Sequence, residues 1–147
     1  AYNENWIVQP NINGEIYCID IINDLNGKYI STLIRRRLTM GIQETDVAET
    51  IVDEEIKELS EKISAAIGHQ GSIDVDIVRK DNELFVIDLN VRFGGSHIFS
   101  LIAGANIPAA IIAWRKGENP DPEWLNHKEG VLSARYSTVV PFKTDNF

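Results

Sequence analysis

The sequence predicts an α+β fold in which an antiparallel β-sheet packs with helices. Two stretches, at about residues 15–38 and 73–92, each contain two runs of apolar and β-branched residues joined by a short polar turn, which is typical of β-hairpins. Between them, residues 56–67 carry apolar side chains at helical spacing. We interpret residues 1–147 as one domain, because a chain of this length buries one modest hydrophobic core.

The first hairpin follows a short predicted strand at residues 5–10, which Pro10 ends because proline cannot donate into a central ladder. The first strand of the hairpin covers about residues 15–22 and is almost continuously apolar, so we expect cover on both of its faces. A turn over residues 23–28 then leads into a second strand over about residues 29–38.

Three adjacent arginines, Arg35, Arg36 and Arg37, lie at the end of this second strand. Because side chains alternate across a strand, Arg36 points to one face and its two neighbours point to the other. In an acidic chain this group favours a local anion site. The alternative is a solvated strand end paired with nearby glutamates.

Residues 41–49 are polar and irregular, and they predict a mobile loop before the helix. The helix is predicted to be capped near Thr50 or Asp53, because both residue types accept hydrogen bonds from the free N–H groups of a first turn. Gly68 is predicted to end it. His69 then follows as a predicted surface-loop histidine.

The hairpin at residues 73–92 carries acids at alternate positions, so one of its faces is polar and the other is apolar. We expect the apolar face to pack into the core and the polar face to be free to bind a ligand. The polar face carries Asp74, Asp76 and Val78 on the first strand and Val86, Asp88, Asn90 and Arg92 on the second, and the apolar face carries Ile73, Val75, Ile77, Phe85, Ile87 and Leu89.

The pairing of the two strands decides whether the acids meet. A three-residue loop over residues 81–83 would place Asp76 opposite Asp88 and Asp74 opposite Asn90. A two- or four-residue loop without a bulge would instead put Asp76 and Asp88 on opposite faces of the sheet. We therefore predict the three-residue loop, or a β-bulge that has the same effect.

Two directly opposed carboxylates repel each other, so one must share a proton or a cation must lie between them. Asp76, Asp88 and Asn90 offer only oxygen ligands, which suits Mg²⁺, Mn²⁺ or Ca²⁺ better than zinc or copper. Arg92 on the same face could hold a phosphate or carboxylate of a substrate. The alternative from the pattern alone is an exposed, solvated polar face.

The region after the hairpin is predicted to be helical. Paired glycines predict a sharp turn, and Ser96 predicts the N-cap of a helix. Pro108 suits the first turn of another helix, which Gly117 ends. A last strand is predicted within residues 130–142, and the tail over residues 143–147 is predicted to be frayed.

Two motifs of this chain resemble the ATP-grasp family of carboxylate–amine ligases. VIDLNVRFGGS at residues 86–96, with VDIV upstream at residues 75–78, is similar to the C-terminal end of the family's nucleotide-binding fold. Within the family the likeness is to the large subunit of carbamoyl-phosphate synthase. The resemblance implies that this α+β chain is the C-terminal half of an ATP-grasp fold.

The resemblance also implies roles for individual residues. Asp76, Asp88 and Asn90 would bind the Mg²⁺ (or Mn²⁺) ions that bridge the phosphates of ATP, and Arg92 would stabilise phosphate or the acyl-phosphate intermediate. Many family members have a glutamate where this chain has Asp88. The other ligand-binding residues implied are Ile7, Val8 and Gln9 at the hinge between lobes, Glu15 at the start of the next strand, and Arg35 and Arg37 near the acceptor-substrate pocket.

The activity implied is that of an ATP-dependent ligase, which activates a small carboxylate as an acyl phosphate for attack by an amine or similar nucleophile. Family members carry a preceding lobe, with lysines and a glycine-rich loop, and an α/β domain before it. We expect this chain to be a fragment without those parts and inactive on its own. The alternatives are a non-catalytic nucleotide-binding or regulatory module of the same fold, and a hydrolase that uses Asp76 and Asp88 as acid and base.

Composition excludes several other classes of function. A net charge of −8 argues against a nucleic-acid partner. A single cysteine, Cys18, cannot form an intramolecular disulfide. No apolar run approaches the roughly 18–20 residues of a membrane span, so we expect a cytoplasmic protein without a membrane partner. A homodimer is compatible with all of these features.

Overall fold

The computed structural model describes residues 8–41 and 45–136, which form a six-stranded antiparallel sheet and three helices. The strands are β1 (Glu15–Asn23), β2 (Tyr29–Met40), β3 (Thr45–Ile51), β4 (Gly71–Lys80), β5 (Glu83–Asn90) and β6 (Leu132–Ala134), and the helices are α1 (Glu54–Ile67), α2 (His97–Ile102) and α3 (Ile107–Arg115), followed by a 3-10 turn (Pro122–Leu125). The order across the sheet is β5-β4-β1-β2-β3-β6. The predicted α+β class with an antiparallel sheet is confirmed.

The main hydrophobic core lies between α1 and one face of the sheet. Alternate residues of β1, β2 and β4 project into it, as the apolar pattern of these strands predicts. Helix α1 covers them with Ile56, which is completely buried. The buried members contributed by the three strands are Tyr17, Ile19, Ile21, Ile34, Ile73, Val75 and Ile77.

Helix α1 begins and ends where its sequence signals predict. The side chain of Asp53 accepts a hydrogen bond from the backbone N–H of Ile56 at 3.0 Å, which is the N-cap bond. Arg79 of β4 donates to the same carboxylate at 2.7 Å, so the cap also fastens the helix to the sheet. Gly68 ends the helix with a left-handed φ of 64°. Thr50, the other predicted cap, lies within β3 instead.

The turn between β4 and β5 corrects one prediction. It has two residues, Asp81 and Asn82, with φ angles of 51° and 63°, and both positive angles are those of a type I′ hairpin. The three-residue loop is therefore wrong. The register nevertheless shifts at a bulge between Asp76 and Ile77, so Asp76 does lie opposite Asp88 as expected.

The bulge also changes which side chains share a face near the turn. Val86 lies opposite Ile77 on the α1 face, and Phe85 lies opposite Val78 on the other face. Both assignments reverse the simple alternation predicted for this strand. Beyond the bulge, towards Asn90, the predicted alternation is restored.

Two further predictions are wrong. Residues 45–49, predicted as part of a mobile loop, belong to strand β3, which pairs with β2 and β6. Tertiary pairing overrides the polar composition of this segment. His69 is not on the surface, because it is 7% exposed and its Nε2 lies 3.0 Å from the carbonyl oxygen of Ile21.

The opposite face of the sheet carries α2 and α3. A second buried cluster, formed by Ile22, Leu33, Ala105 and Ile107, joins α3 to this face. Helix α2 lies against β2 and β3. Ser96 occupies its N-cap position as predicted, but the Ser96 side chain makes no capping hydrogen bond.

The remaining predictions for the C-terminal part have mixed outcomes. In α3, Pro108 occupies the first turn as predicted, and Asn106 caps it by accepting from the N–H of Ala109. Of the last strand predicted within residues 130–142, the described part contains strand β6 (Leu132–Ala134), and residues 137–142 lie outside the described residues. Within the predicted strand at residues 5–10, the described residues 8–10 are not in a strand. The predicted tail at residues 143–147 lies outside the described residues.

Candidate functional site

Two rows of polar side chains cross the sheet on the face that carries α2. Residues directly opposite each other in neighbouring strands share a face, so a row can be read from the strand register. The first row consists of Asp20, Asp74 and Asn90, and the second of Arg35, Cys18, Asp76 and Asp88.

An open cavity of about 310 Å³ lies over the β4–β5 end of these rows. Its walls come from the ends of β2 and β5, the start of β3 and the turn that leads into α2. The structure therefore brings together five of the sequence-predicted site residues, Arg37, Asp76, Asp88, Asn90 and Arg92. The full lining is Cys18, Arg37, Met40, Thr45, Asp74, Asp76, Asp88, Asn90, Arg92, Gly95 and Ser96.

The carboxylates of the cavity differ in their charge partners. Arg37 Nη2 donates to Asp76 Oδ2 at 2.7 Å, and Arg92 Nη1 lies 3.4 Å from Asp74 Oδ2. Asp88 accepts a hydrogen bond from the amide Nδ2 of Asn90 at 2.7 Å. Among residues 8–41 and 45–136, no cationic side chain forms a salt bridge with Asp88. The negative charge left uncompensated in the cavity is therefore concentrated at this residue.

Asp74 is the most electrostatically disfavoured acid of the group. Burial, together with the negative charges of Asp20 and Asp76, raises its pKa to about 6. Its carboxylate packs against the backbone of the turn, where a Cβ placed on Gly94 would lie only 2.1 Å from Asp74 Oδ1. The first glycine of the pair is thus required by the close approach of this acid.

Arg37 is held at the cavity wall by several partners. Its Nε donates to Thr45 Oγ1 at 3.0 Å, and its Nη2 also lies 2.9 Å from the sulfur of Cys18. Burial and the nearby charge of Asp76 raise the pKa of the Cys18 thiol, so the thiol is neutral at physiological pH. Arg37 is therefore a fixed counter-ion for Asp76, with its side chain 12% exposed.

Arg35 does not line the cavity. It is completely buried, and its Nη1 donates to Asp20 Oδ2 at 2.5 Å and to Ser100 Oγ at 2.9 Å. The structure thus does not place it as a ligand contact. Its partner Asp20 was not singled out from the sequence, although a lone acid inside an almost continuously apolar strand is a signal for a buried ion pair.

The buried pair extends into α2 through His97. The ring Nδ1 of His97 lies 2.8 Å from Asp20 Oδ2, and the His97 side chain is 11% exposed. Burial alone would raise the pKa of Asp20, but the charge of Arg35 and the hydrogen bonds from His97 and Arg35 hold it below its usual value. On the far side, Ser100 Oγ lies 3.0 Å from Nδ1 of His127, whose pKa burial lowers.

Of the predicted nucleotide contacts near the N-terminus, the described ones, Val8, Gln9 and Glu15, do not line this cavity. Glu15 lies on the α1 face, where it accepts a hydrogen bond from the hydroxyl of Tyr17 at 2.8 Å. Val8 and Gln9 are exposed ahead of β1. Ile7 lies outside the described residues.

The donor set of the cavity fits a hard divalent cation. Two carboxylates face each other beside an amide group. The hydrogen bond from Asn90 Nδ2 to Asp88 leaves the side-chain oxygen Oδ1 of Asn90 without a hydrogen-bond donor among the described residues. The described residues contain no cluster of three histidine, cysteine or acidic side chains placed to enclose a metal. Mg²⁺ needs no such cage, since it is usually held by one or two carboxylates and completes its shell with water and phosphate oxygens.

The fold is that of the C-terminal part of an ATP-grasp domain. The chain belongs to the family described as ATP-grasp in the biosynthetic pathway with Ter operon, whose profile matches residues 2–139. No curated protein sequence gives a significant match. The predicted ATP-grasp membership is thus confirmed, and the narrower likeness to carbamoyl-phosphate synthase stays a prediction.

Solved structures show the same fold in much longer chains. A variant of pyruvate carboxylase from Rhizobium etli, solved with the allosteric activator acetyl coenzyme A, matches with a TM-score of 0.63 and 17% identity over 84% of this chain and 14% of that one. Urea carboxylase from Kluyveromyces lactis matches with a TM-score of 0.60 and 16% identity, over 80% of this chain and 11% of that chain. A complete multifunctional pyruvate carboxylase from Rhizobium etli matches with a TM-score of 0.61 and 17% identity, over 82% of this chain and 12% of that chain. This chain therefore spans less than a sixth of the length of each.

None of the helices in the part of the chain that the structure describes has both the length and the hydropathy to cross a membrane.

Proposed function

We propose that this chain is the metal- and phosphate-binding C-terminal lobe of an ATP-grasp ligase, which activates a carboxylate as an acyl phosphate for attack by an amine or similar nucleophile. The observation that carries the proposal is the opposition of Asp76 and Asp88 beside Asn90, with Arg92, in one open cavity. A carbamoyl-phosphate-synthase-like reaction is the narrower form of this proposal.

Asp76, Asp88 and Asn90 would hold Mg²⁺ or Mn²⁺ in this lobe. When bound, such a cation neutralises charge on the phosphates of ATP. Asp88 is where that charge is most needed, because it has no cationic partner among the described residues. This uncompensated acid is the strongest electrostatic support for the assignment.

The chemistry proposed for the whole enzyme has two displacements. An oxygen of the carboxylate substrate attacks the γ-phosphorus of ATP, the bond to the β–γ bridging oxygen breaks, and ADP leaves. The amine then attacks the acyl carbon, inorganic phosphate leaves with the C–O bond electrons, and the amine loses a proton. Arg92, with its side chain 59% exposed beside the cavity, is placed to hold the transferred phosphate.

A second lobe would cover the nucleotide. Val8 and Gln9 are exposed directly before β1, which is where the family resemblance sets the hinge with Ile7, and the cavity is open to the outside. In this proposal the partner lobe belongs to the same protein and supplies the remaining phosphate contacts. The chain alone would then bind ATP weakly and would not turn over.

Metal binding by the chain itself tests the proposal. Free Mn²⁺ is measured by its electron paramagnetic resonance signal during titration, with and without ATP. Uptake by the chain is the difference from a protein-free sample of the same Mn²⁺ and ATP content, because ATP itself binds Mn²⁺. We expect uptake that ATP strengthens, and we expect Asp88→Asn to weaken it by at least about tenfold, since even outer-shell partners of a metal typically contribute about 10–100-fold. Asp81→Asn makes the same charge change in the β4–β5 turn and should bind like the unchanged chain.

Absence of Mn²⁺ uptake by the unchanged chain, or equal loss in the two variants, would refute this assignment. In the complete ligase, Asp88→Ala and Arg92→Ala should each abolish ATP-dependent turnover while leaving the folded protein intact. Near-normal turnover of either variant would contradict the proposed role of that residue.

A second candidate, a non-catalytic nucleotide-binding or regulatory module, is favoured by one observation. Asp76 is already neutralised by Arg37 at 2.7 Å, and Asp88 already accepts the amide of Asn90 at 2.7 Å. A purely structural hairpin could use these contacts alone. Such a module would show no metal uptake linked to ATP and no conversion of ATP to ADP by the complete protein with any of a panel of carboxylates.

A further inference from the structure

The turn that carries Arg92 is tied to the interior of the sheet through one histidine. His97 is the first residue of α2, and its Nδ1 lies 2.8 Å from Asp20 Oδ2. A carboxylate can only accept, and Asp20 has a lowered pKa, so the histidine donates this bond. Arg35 holds the same carboxylate oxygen from the other side. The position of His97 is therefore fixed by two residues of the central strands.

His97 in turn contacts the residue that follows Arg92. The rings of Phe93 and His97 are 4.7 Å apart between centroids and inclined by 59°, which is a favourable aromatic geometry. The carbonyl oxygen of Phe93 accepts a hydrogen bond from Arg92 Nη1 at 2.9 Å. A continuous chain of contacts thus runs from Asp20 through His97 and Phe93 to the guanidinium at the cavity.

The remaining contacts of the turn are tight as well. The backbone N–H of His97 donates to the carbonyl of Gly94 at 3.1 Å, and Arg135 donates to the carbonyl of Gly95 at 2.6 Å. Gly94 itself packs against Asp74 with no room for a side chain. The turn therefore has anchors on both sides, and His97 is the anchor that reaches the sheet interior.

Stability alone is a weak reason for a charged pair under this turn. Replacing a buried ion pair with well-packed apolar residues is often neutral or stabilising, because two charges must be desolvated. Asp20 and Arg35 are both completely buried, yet the bond of Asp20 to His97 leads directly to the cavity wall. A role in placing the turn accounts for a pair that burial alone would disfavour.

We propose that His97, held by Asp20 and Arg35, is a positioning residue that sets the Arg92 guanidinium for phosphate binding. This inference rests on the proposed function, because it assigns a support to the residue that would hold the phosphate. His97 does not touch the ligand in this scheme. It acts through Phe93 and the backbone of residues 92–96.

The test uses this chain, Mn²⁺ and ATP, with free Mn²⁺ followed by electron paramagnetic resonance. His97→Leu should leave Mn²⁺ uptake without ATP within about twofold of the unchanged chain, because Asp76, Asp88 and Asn90 are untouched. It should weaken the ATP-dependent part of the uptake by about 2- to 30-fold, the range for residues that act through neighbours. His97→Asn should restore part of it, since its amide can donate to Asp20 in place of Nδ1 but has no ring to pack against Phe93.

Two further variants separate positioning from folding. His69→Asn alters another buried histidine, bonded to the carbonyl of Ile21 away from the cavity, and should lower thermal stability without changing either part of the Mn²⁺ uptake. In the double variant of His97→Leu with Arg92→Ala, the loss should not exceed that of Arg92→Ala alone, because both changes remove one interaction.

Each other outcome overturns the inference in a distinguishable way. If the unchanged chain shows ATP-linked uptake and His97→Leu retains it, the inference fails and the proposed function stands. If His97→Leu loses both parts of the uptake together with thermal stability, His97 serves only the fold. If the unchanged chain takes up no Mn²⁺, or takes it up equally with and without ATP, the proposed function and the inference fail together.

Discussion

Two aspartate–arginine pairs lie on the same face of the sheet in contrasting surroundings. Asp20 and Arg35 are sealed between the central strands and α2, and both side chains are 0% exposed. Asp76 and Arg37 line the open cavity, with side chains 22% and 12% exposed. The same two residue types therefore form a fully buried pair in one place and a partly exposed, cavity-lining pair in the other.

The difference shows how burial decides what an ion pair can do. A buried pair cannot be separated without leaving a bare charge in a medium of low dielectric, so its partners stay together. A partly exposed pair loses less when its partners separate, because water compensates part of either charge. Of the two pairs, only Asp76 and Arg37 line a cavity that a cation or a phosphate could enter.

The largest expected effect comes from breaking the buried pair. Arg35→Ala should lower the free energy of unfolding by about 3–5 kcal/mol, because it leaves the Asp20 charge buried without its main partner. Arg37→Ala should lower it by no more than about 1 kcal/mol. Urea denaturation of the two variants measures the contrast, and equal losses would show that the two surroundings do not differ as described.

Asp74 offers a pH-dependent test at the boundary between the two pairs, since it lies opposite Asp20 and two residues before Asp76. Its pKa in the folded chain is about 6, above the ordinary 3.8, so the native state holds this proton more tightly than the unfolded state. The contribution of Asp74 to the free energy of unfolding is fully present below pH 3.8 and is lost as the pH rises through about 6.

At pH 7.5 the free energy of unfolding of Asp74→Asn should therefore be about 1–2 kcal/mol higher than that of the unchanged chain. The difference should vanish near pH 4. Urea denaturation at the two pH values measures it. A constant difference across this range would mean that Asp74 titrates normally in the folded chain.

Much of the fold follows from local patterns. Burial fixes which face of a strand is apolar. The alternation in β4 therefore correctly placed Asp74 and Asp76 on one face of the strand and the core residues Ile73, Val75 and Ile77 on the other. The N-cap at Asp53 and the stop at Gly68 follow from local hydrogen bonding and backbone conformation. Features of this kind need no knowledge of distant partners.

Features that the local pattern left open or misread depend on distant partners. Arg35 reads as one of three strand-end arginines, and only the β1–β2 register shows that it lies beside the lone acid Asp20. Strand β3 is polar by composition and is held as a strand by pairing with β2 and β6. The bulge beside Asp76 is likewise set by the two-residue turn at Asp81 and Asn82 together with the need to keep the apolar face buried.

The smallest expected effect on stability comes from replacing Arg37 with an uncharged residue. The same change is expected to alter Mn²⁺ uptake. Arg37→Gln should change the free energy of unfolding by less than about 1 kcal/mol, since glutamine can still donate to Thr45 or Asp76 and the site is open. The same variant should take up Mn²⁺ without ATP several-fold more tightly, because the guanidinium at 2.7 Å from Asp76 Oδ2 competes with any cation for that oxygen. Arg36→Gln makes the same charge change on the opposite face, where the side chain pairs with Glu49, and should leave the uptake unchanged. Equal tightening in both variants would mean that only the overall charge matters, and weaker uptake by Arg37→Gln would show that Arg37 supports the metal site rather than competing with it.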